Sequence, residues 1–334
     1  MPTPPDLPAP TRVPVNGAVL EVFELGRENA GNPIVLCHGW PELAYSWRHQ
    51  MPALAAAGFH VIAPNQRGFG KSSRPAAVTD YDITCLTGDL AALLDHFGYA
   101  EATFMGHDWG ANAVWSMALL HPGRVTRIVN LALPYQLRTE VPWTAFLEAV
   151  LGPDNYMVHF NRQPGVADAI LDANAARFLR NLFRKTGPPG PPAPGMVMID
   201  LALAESPMGA PVMSDEDLAV FTAAFEATGF TGGINWYRNL DRNWRILAEV
   251  DPVIRKPALM IHGTQDPIPI PDTLGTFVPG VEVLGLECGH WIQQELPEQT
   301  TAAILAWLSE RGAAPQPAGS TGRRALSGPV GEKA

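Results

Sequence analysis

Cysteine is scarce in this chain of 334 residues, and its three copies (Cys37, Cys85 and Cys288) stand far apart with no C-x-x-C spacing. That excludes a disulfide framework or a zinc ribbon as the basis of the fold and suits reduced thiols in a cytoplasmic protein. Cations are in deficit: 23 Lys and Arg against 33 Asp and Glu leave a formal charge of −10. Such a balance is a poor match to phosphate backbones and anionic lipid, so neither nucleic acid nor a membrane is expected as a partner. No apolar run approaches the ~18 residues of a membrane helix, and the opening MPTPPDLPAP lacks the charged-then-apolar order of a signal peptide. No H-E-x-x-H or similar ligand spacing occurs, so no metal or organic cofactor is expected. What is present is 46% hydrophobic residues, enough to bury a large core in one large domain or two.

The apolar residues fall into a pattern. After an alternating stretch, AVLEVFEL at 18–25, short continuous runs rich in Val, Ile and Leu occupy 33–37, 59–63, 102–105, 127–133 and 258–261. Runs of that length suit parallel strands buried on both faces. Helical patterns lie between them. Asp82 caps one whose apolar positions fall at 83, 86, 90, 93, 94 and 97, with Gly98 just beyond. A second, 109–120, follows the 102–105 run directly, and Pro297 opens a last one with Ile304, Leu305 and Leu308 on one face. The alternation predicts a doubly wound, mostly parallel α/β sheet.

It stops between about 134 and 250, a stretch that reads as helices and loops and includes GPPGPPAPG at 187–195. One α/β domain with a helical insertion explains this better than two tandem domains. The expected division is a core at 11–134 and 250–311, a helical cap at 135–249, a flexible arm at 1–10 and a disordered tail at 312–334.

One junction carries chemistry. Gly106-His107-Asp108-Trp109-Gly110 joins the 102–105 run to the 109–120 helix and has the form of a G-x-nucleophile-x-G elbow, with Asp in the nucleophile's place. An abrupt strand-to-helix turn pushes one side chain out over the sheet edge, flanking glycines keep the turn free of bulk, and the helix N-terminus favours a carboxylate. The plainer alternative is a helix-capping aspartate. His38-Gly39-Trp40-Pro41-Glu42 follows another buried run. There the backbone amides of Trp40 and Trp109 are candidates for an oxyanion hole, His38 reads as a structural hydrogen-bonder, and Glu42 either caps the turn or positions water. His107, next to the nucleophile in a strand, should point away from the site.

A base is expected after the last strand, and Cys288-Gly289-His290-Trp291 follows 281–286 with His290. The acid belongs after the preceding strand, where Gly263-Thr264-Gln265-Asp266 supplies Asp266; the run at 127–133 ends in NLALP and offers none. Asp108, Asp266 and His290 thus lie at three strand ends that converge on one edge of an open sheet.

This set resembles the α/β-hydrolase superfamily, and within it the soluble-type epoxide hydrolases. The resemblance rests on HGWPE, RGFGKSS at 67–73, GHDWG, GTQDP and GHW in the core, with Tyr156 in NYMVHFNRQPGVAD and Tyr237 in GGINWYRN inside the insertion, and it runs from about 15 to 310. It implies an α/β-hydrolase fold with a cap, and conversion of an epoxide to a vicinal diol. A covalent ester would form on Asp108 and be hydrolysed by water that His290 and Asp266 activate. Tyr156 and Tyr237 would polarise and protonate the epoxide oxygen. A carboxylate suits this chemistry because water can hydrolyse an ester, whereas it could not readily hydrolyse a serine ether.

Trp40, Trp109 and Trp236 are expected to line the substrate pocket, with core packing as the alternative. Tyr135 reads as structural, and His159 stands where relatives often carry an aromatic such as Tyr. The partners implied are a small epoxide and water, for a monomer or homodimer. A haloalkane dehalogenase shares the Asp elbow, but Trp40 occupies the place of its usual halide-holding Asn and the reaction has no use for Tyr237. A non-catalytic binding protein of this fold would be expected to lack a triad member, and an esterase needs Ser or Cys at 108.

Overall fold

The structure is a computed structural model that describes residues 7–29, 32–185 and 197–312. Most of the expected arm and tail (1–6 and 313–334) and the proline-rich loop at 187–195 lie outside these residues. Eight strands form one sheet: β1 Thr11–Val15, β2 Ala18–Leu25, β3 Pro33–Cys37, β4 His60–Asn65, β5 Ala102–His107, β6 Val125–Leu131, β7 Ala258–Gly263 and β8 Glu282–Leu286. Their order is β1-β2-β4-β3-β5-β6-β7-β8; β1 and β2 pair antiparallel, as do β2 and β4, and every other pairing is parallel.

The parallel strands are apolar throughout because both faces are covered. Val35, Cys37, Phe104, Ile128 and Met260 join one core cluster, while Ile34, Leu36, Met105, Val129 and Ile261 join a second on the opposite face. The helix Ile83–Phe97 starts at Asp82, whose carboxylate accepts from the Cys85 amide, and ends at Gly98 with φ +77. Two corrections to the expected elements have local causes. β1 was not anticipated; the two-residue Asn16-Gly17 turn, with Gly17 at φ +69, folds it back on β2. The apolar run at 127–133 is not all strand, because Ala132 takes φ +65 and ends β6 at Leu131.

Between β6 and β7 the chain is helical, from Trp143–Leu151 through Leu240–Ile246. This insertion shares a third apolar cluster with the loops of the sheet edge. Trp40, Phe69 and Trp109 belong to it together with Phe160, Phe178, Phe230 and Tyr237. Polar bridges tie the layers: Arg48 pairs with Asp217 at 3.0 Å, Trp236 Nε1 donates to the Arg67 carbonyl at 3.0 Å, and Asn243 accepts from the Ile83 amide at 2.8 Å. Gly68 and Gly232 let the RGFGKSS loop and the helix Thr231–Arg238 meet backbone to backbone; a Cβ on Gly232 would lie 2.3 Å from the Gly68 carbonyl oxygen. No helix among the described residues is long and apolar enough to cross a membrane.

Candidate active site

Asp108 sits between β5 and the helix Trp109–Leu120 with φ 52 and ψ −122, a conformation that costs a non-glycine residue about 1–3 kcal/mol. The turn is possible only because its neighbours lack side chains. A Cβ on Gly110 would fall 2.1 Å from the Cys37 carbonyl oxygen, and one on Gly106 would fall 2.5 Å from the Ala111 nitrogen. The elbow therefore seats the helix directly on the end of β3 and holds the carboxylate above it. Asp108 Oδ1 accepts the Trp40 amide at 2.9 Å. The Trp109 N–H is the first amide of the helix, where helical geometry supplies no acceptor within the helix.

His290 and Asp266 arrive from the ends of β8 and β7. His290 Nδ1 donates to Asp266 Oδ2 at 2.8 Å, and Nε2 lies 3.7 Å from Asp108 Oδ2, close enough for an ion pair but too far for a good hydrogen bond. Burial alone would raise Asp108, but the cationic ring of His290 outweighs it, and the carboxyl stays below its usual range. Asp266 behaves likewise, held down against burial by His290. For His290, burial lowers the pKa, yet the two carboxylates raise it well above the ordinary imidazole value. The resting centre is thus two carboxylates around one imidazolium. The Asp108 and His290 side chains keep 16% and 17% of their surface open.

Tyr156 opens the helix Tyr156–Arg162, and Tyr237 lies near the end of Thr231–Arg238. Their rings are 5.7 Å apart at 71°. Both face the nucleophile closely enough that its charge, after burial, raises each phenol. They are therefore neutral donors at neutral pH. The Trp109 and Tyr237 rings pack at 4.9 Å. Trp40 forms an adjoining wall with Tyr237 at 5.3 Å and Phe160 at 5.8 Å.

The structure brings Asp108, Asp266, His290, Tyr156, Tyr237, Trp40 and Trp109 together at one edge of the sheet. Trp236 is placed differently from the expectation that it lines the pocket. It is 1% exposed, spends its N–H on Arg67 and packs against Phe69 and Trp109, so it supports the Trp109 wall and presents almost no surface to a ligand. His38 is a buried hydrogen-bonder, donating from Nδ1 to the Gly39 carbonyl and accepting the Gln66 amide at Nε2; burial lowers it to about 4. Tyr135 packs on Trp115.

The sequence understated His107 and Glu42. His107 does turn away from the ligand space, but its ring meets Glu42 Oε2 at 2.6 Å and the His290 carbonyl at 2.9 Å. Glu42 also accepts from the Gly39 amide and from Gln293. Burial would raise Glu42, but His107 holds it below the usual carboxyl range. This buried pair anchors the HGWPE turn to the loop that carries His290. Two polar residues stacked on one strand end were its only sequence signal.

A family model described as the alpha/beta hydrolase fold matches residues 32–182. Epoxide hydrolase A of Mycobacterium tuberculosis is 43% identical over 316 residues, which cover 90% of this chain and 98% of that protein. Bifunctional epoxide hydrolase 2 of Rattus norvegicus is 34% identical over 303 residues, 87% of this chain and 54% of that protein. The crystal structure of epoxide hydrolase A from Mycobacterium thermoresistibile matches with a TM-score of 0.82 at 43% identity, covering 90% of this chain and 98% of that one.

Proposed function

The chain belongs to the epoxide hydrolases of the α/β-hydrolase fold, and we propose that it opens epoxides through an ester on Asp108. The observation that carries this reading is the meeting of an ionised carboxylate on a strained elbow with two neutral phenols from the insertion. Asp108 Oδ1 is held by the Trp40 amide, so Oδ2 is the attacking atom. It bonds to a ring carbon, the C–O bond breaks, and its electron pair goes to the ring oxygen. Tyr156 and Tyr237 donate to that oxygen, and one gives it a proton.

Esterification removes the Asp108 charge, one of the two that hold the proton on His290. The imidazolium then releases that proton, which replaces the one taken from the phenol. Neutral His290, oriented by Asp266, next takes a proton from water as the water attacks Asp108 Cγ. The oxyanion rests on the Trp40 and Trp109 amides, a donor type worth about 3 kcal/mol each. Collapse expels the diol, which carries away the former Oδ2 and a proton from His290, and the acid proton left on Asp108 passes to His290 to restore the resting pair.

A single turnover in H₂¹⁸O tests the route. The expected result is unlabelled diol with ¹⁸O retained on the Asp108 peptide; label in the diol alone would mean direct attack by water and would overturn the ester. Incubation with styrene oxide and with 1-chlorohexane separates the dehalogenase reading, for which chloride release without diol formation is the signature. In that reading the Trp109 indole would hold halide, but here its ring packs against Tyr237 at 4.9 Å.

A further inference from the structure

The two helices that bring the phenols together have no covalent reason to stay in register, because 156 and 237 lie far apart in sequence. Side chains on both helices hold that register, chief among them Arg238 beside Tyr237. Arg238 Nε donates to the Phe160 carbonyl, on the Tyr156 helix, at 3.1 Å. Nη1 and Nη2 grip Asp168 end-on, at 3.0 Å to Oδ1 and 2.5 Å to Oδ2, and Nη1 also reaches Asn235 Oδ1 at 2.9 Å. Arg238 and Asp168 are 8% and 9% exposed. Such a planar fork fixes orientation as well as distance, which a lysine's single ammonium does not.

Asp168 in turn binds more than its arginine. It accepts the Gly165 amide at the start of Val166–Ala173. One carboxylate therefore ties that helix start to the end of the Tyr237 helix. A parallel tie runs from Asn161 Nδ2 to the Tyr237 carbonyl at 3.0 Å. None of these groups belongs to the triad or the oxyanion hole.

We infer that Arg238, clamped by Asp168, is a positioning residue that holds Tyr156 and Tyr237 in register over Asp108 and so governs ring opening without touching substrate. The inference rests on the proposed role of the phenols as donors. It separates the two chemical steps, because ester hydrolysis depends on His290, Asp266 and the amides, which the clamp does not contact.

The test uses Arg238→Lys, which keeps the charge and loses the fork, with Asp168→Asn as a second variant should the first fail to fold. Each is combined with Tyr237→Phe, and ester formation and ester hydrolysis are timed separately in single turnovers. Arg238→Lys is expected to slow ester formation by about 10- to 100-fold while hydrolysis changes little. In the Tyr237→Phe background the same change is expected to cost clearly less than in the wild type, since one of the two donors it positions is already gone. Equal slowing of both steps, or a full multiplicative loss on top of Tyr237→Phe, overturns the inference and leaves the pair a purely structural tie. A Tyr237→Phe single variant that forms ester at the normal rate instead overturns the donor reading itself, and the inference with it.

Discussion

Adding one methyl group at Gly39 isolates the hold that the HGWPE turn has on the nucleophile. A Cβ there would stand 2.6 Å from both Cβ and Oδ1 of Asp108 and 2.9 Å from the His107 carbonyl oxygen. Carbon contacts become ordinary from 3.4 Å, so the parts must separate by about 0.8 Å. The His107 carbonyl belongs to β5, which is paired on both sides, and cannot supply that movement. The yielding pieces are the Asp108 side chain and the turn itself, and moving the turn draws the Trp40 amide away from Oδ1. A misplacement near 1 Å costs about 100-fold in rate, and loss of one oxyanion donor costs about 100- to 1,000-fold.

Gly39→Ala is therefore expected to slow ester formation by about 100- to 1,000-fold, with a stability loss of about 1–3 kcal/mol from overpacking. Single-turnover mixing with styrene oxide, acid quench and mass analysis of the Asp108 peptide measures the first figure; thermal melting measures the second. Gly123→Ala is the control, because its new Cβ meets nothing within 4 Å. The reasoning fails if Gly39→Ala melts near the wild-type temperature and forms ester within about threefold of the wild-type rate, which would mean the turn does not hold the carboxylate.

Other perturbations address the remaining parts. Tyr237→Phe removes one of two donors, so ester formation should fall by about 100-fold with hydrolysis nearly intact; a rapid-quench comparison of the two steps checks it. His290→Gln leaves the nucleophile in place but no base, and intact-mass analysis after adding substrate should find the adduct accumulating on Asp108. The triad also sets a pH dependence of stability. The pKa of His290 is raised on folding, so its contribution is full below the ordinary value of 6.5 and is lost as pH climbs through the raised value. Those of Asp108 and Asp266 are lowered, so theirs is full above 3.8 and is lost as pH falls through the lowered values. Melting temperatures should accordingly decline from neutral into alkaline pH more steeply for the wild type than for His290→Gln.

What could be read from sequence was whatever physics keeps local. Buried parallel strands must be apolar on both faces, so β3 and β7 showed as unbroken runs, and the Asp82 cap and Gly98 end marked Ile83–Phe97. The elbow was legible because its tight turn demands glycines at fixed offsets. The hairpin of β1 had a local signal too, in Asn16-Gly17, and went unread beside the prolines before it. The pairs that join distant segments left no such trace. Glu42 meets His107 from 65 residues away and Arg238 meets Asp168 from 70, and a charged residue fated to be buried looks in sequence like any solvated one. Trp236 failed for a related reason: nearness to Tyr237 along a helix does not say which indole faces the cavity and which turns to Arg67.

The distribution of charge explains why one imidazole can serve both halves of the proposed cycle. In the resting centre two buried carboxylates share a single cation, which keeps Asp108 ionised and ready to attack but leaves His290 without a free nitrogen pair to act as base. A base already neutral at rest would forfeit the attraction that holds Asp108 ionised in an apolar surround. Turning Asp108 into an ester cancels one negative charge a few ångströms from the ring, and with it part of the field that held the proton. Asp266, still ionised and still bonded to Nδ1, fixes which nitrogen faces the ester. The first chemical step thus prepares the base for the second, and nothing has to move except protons.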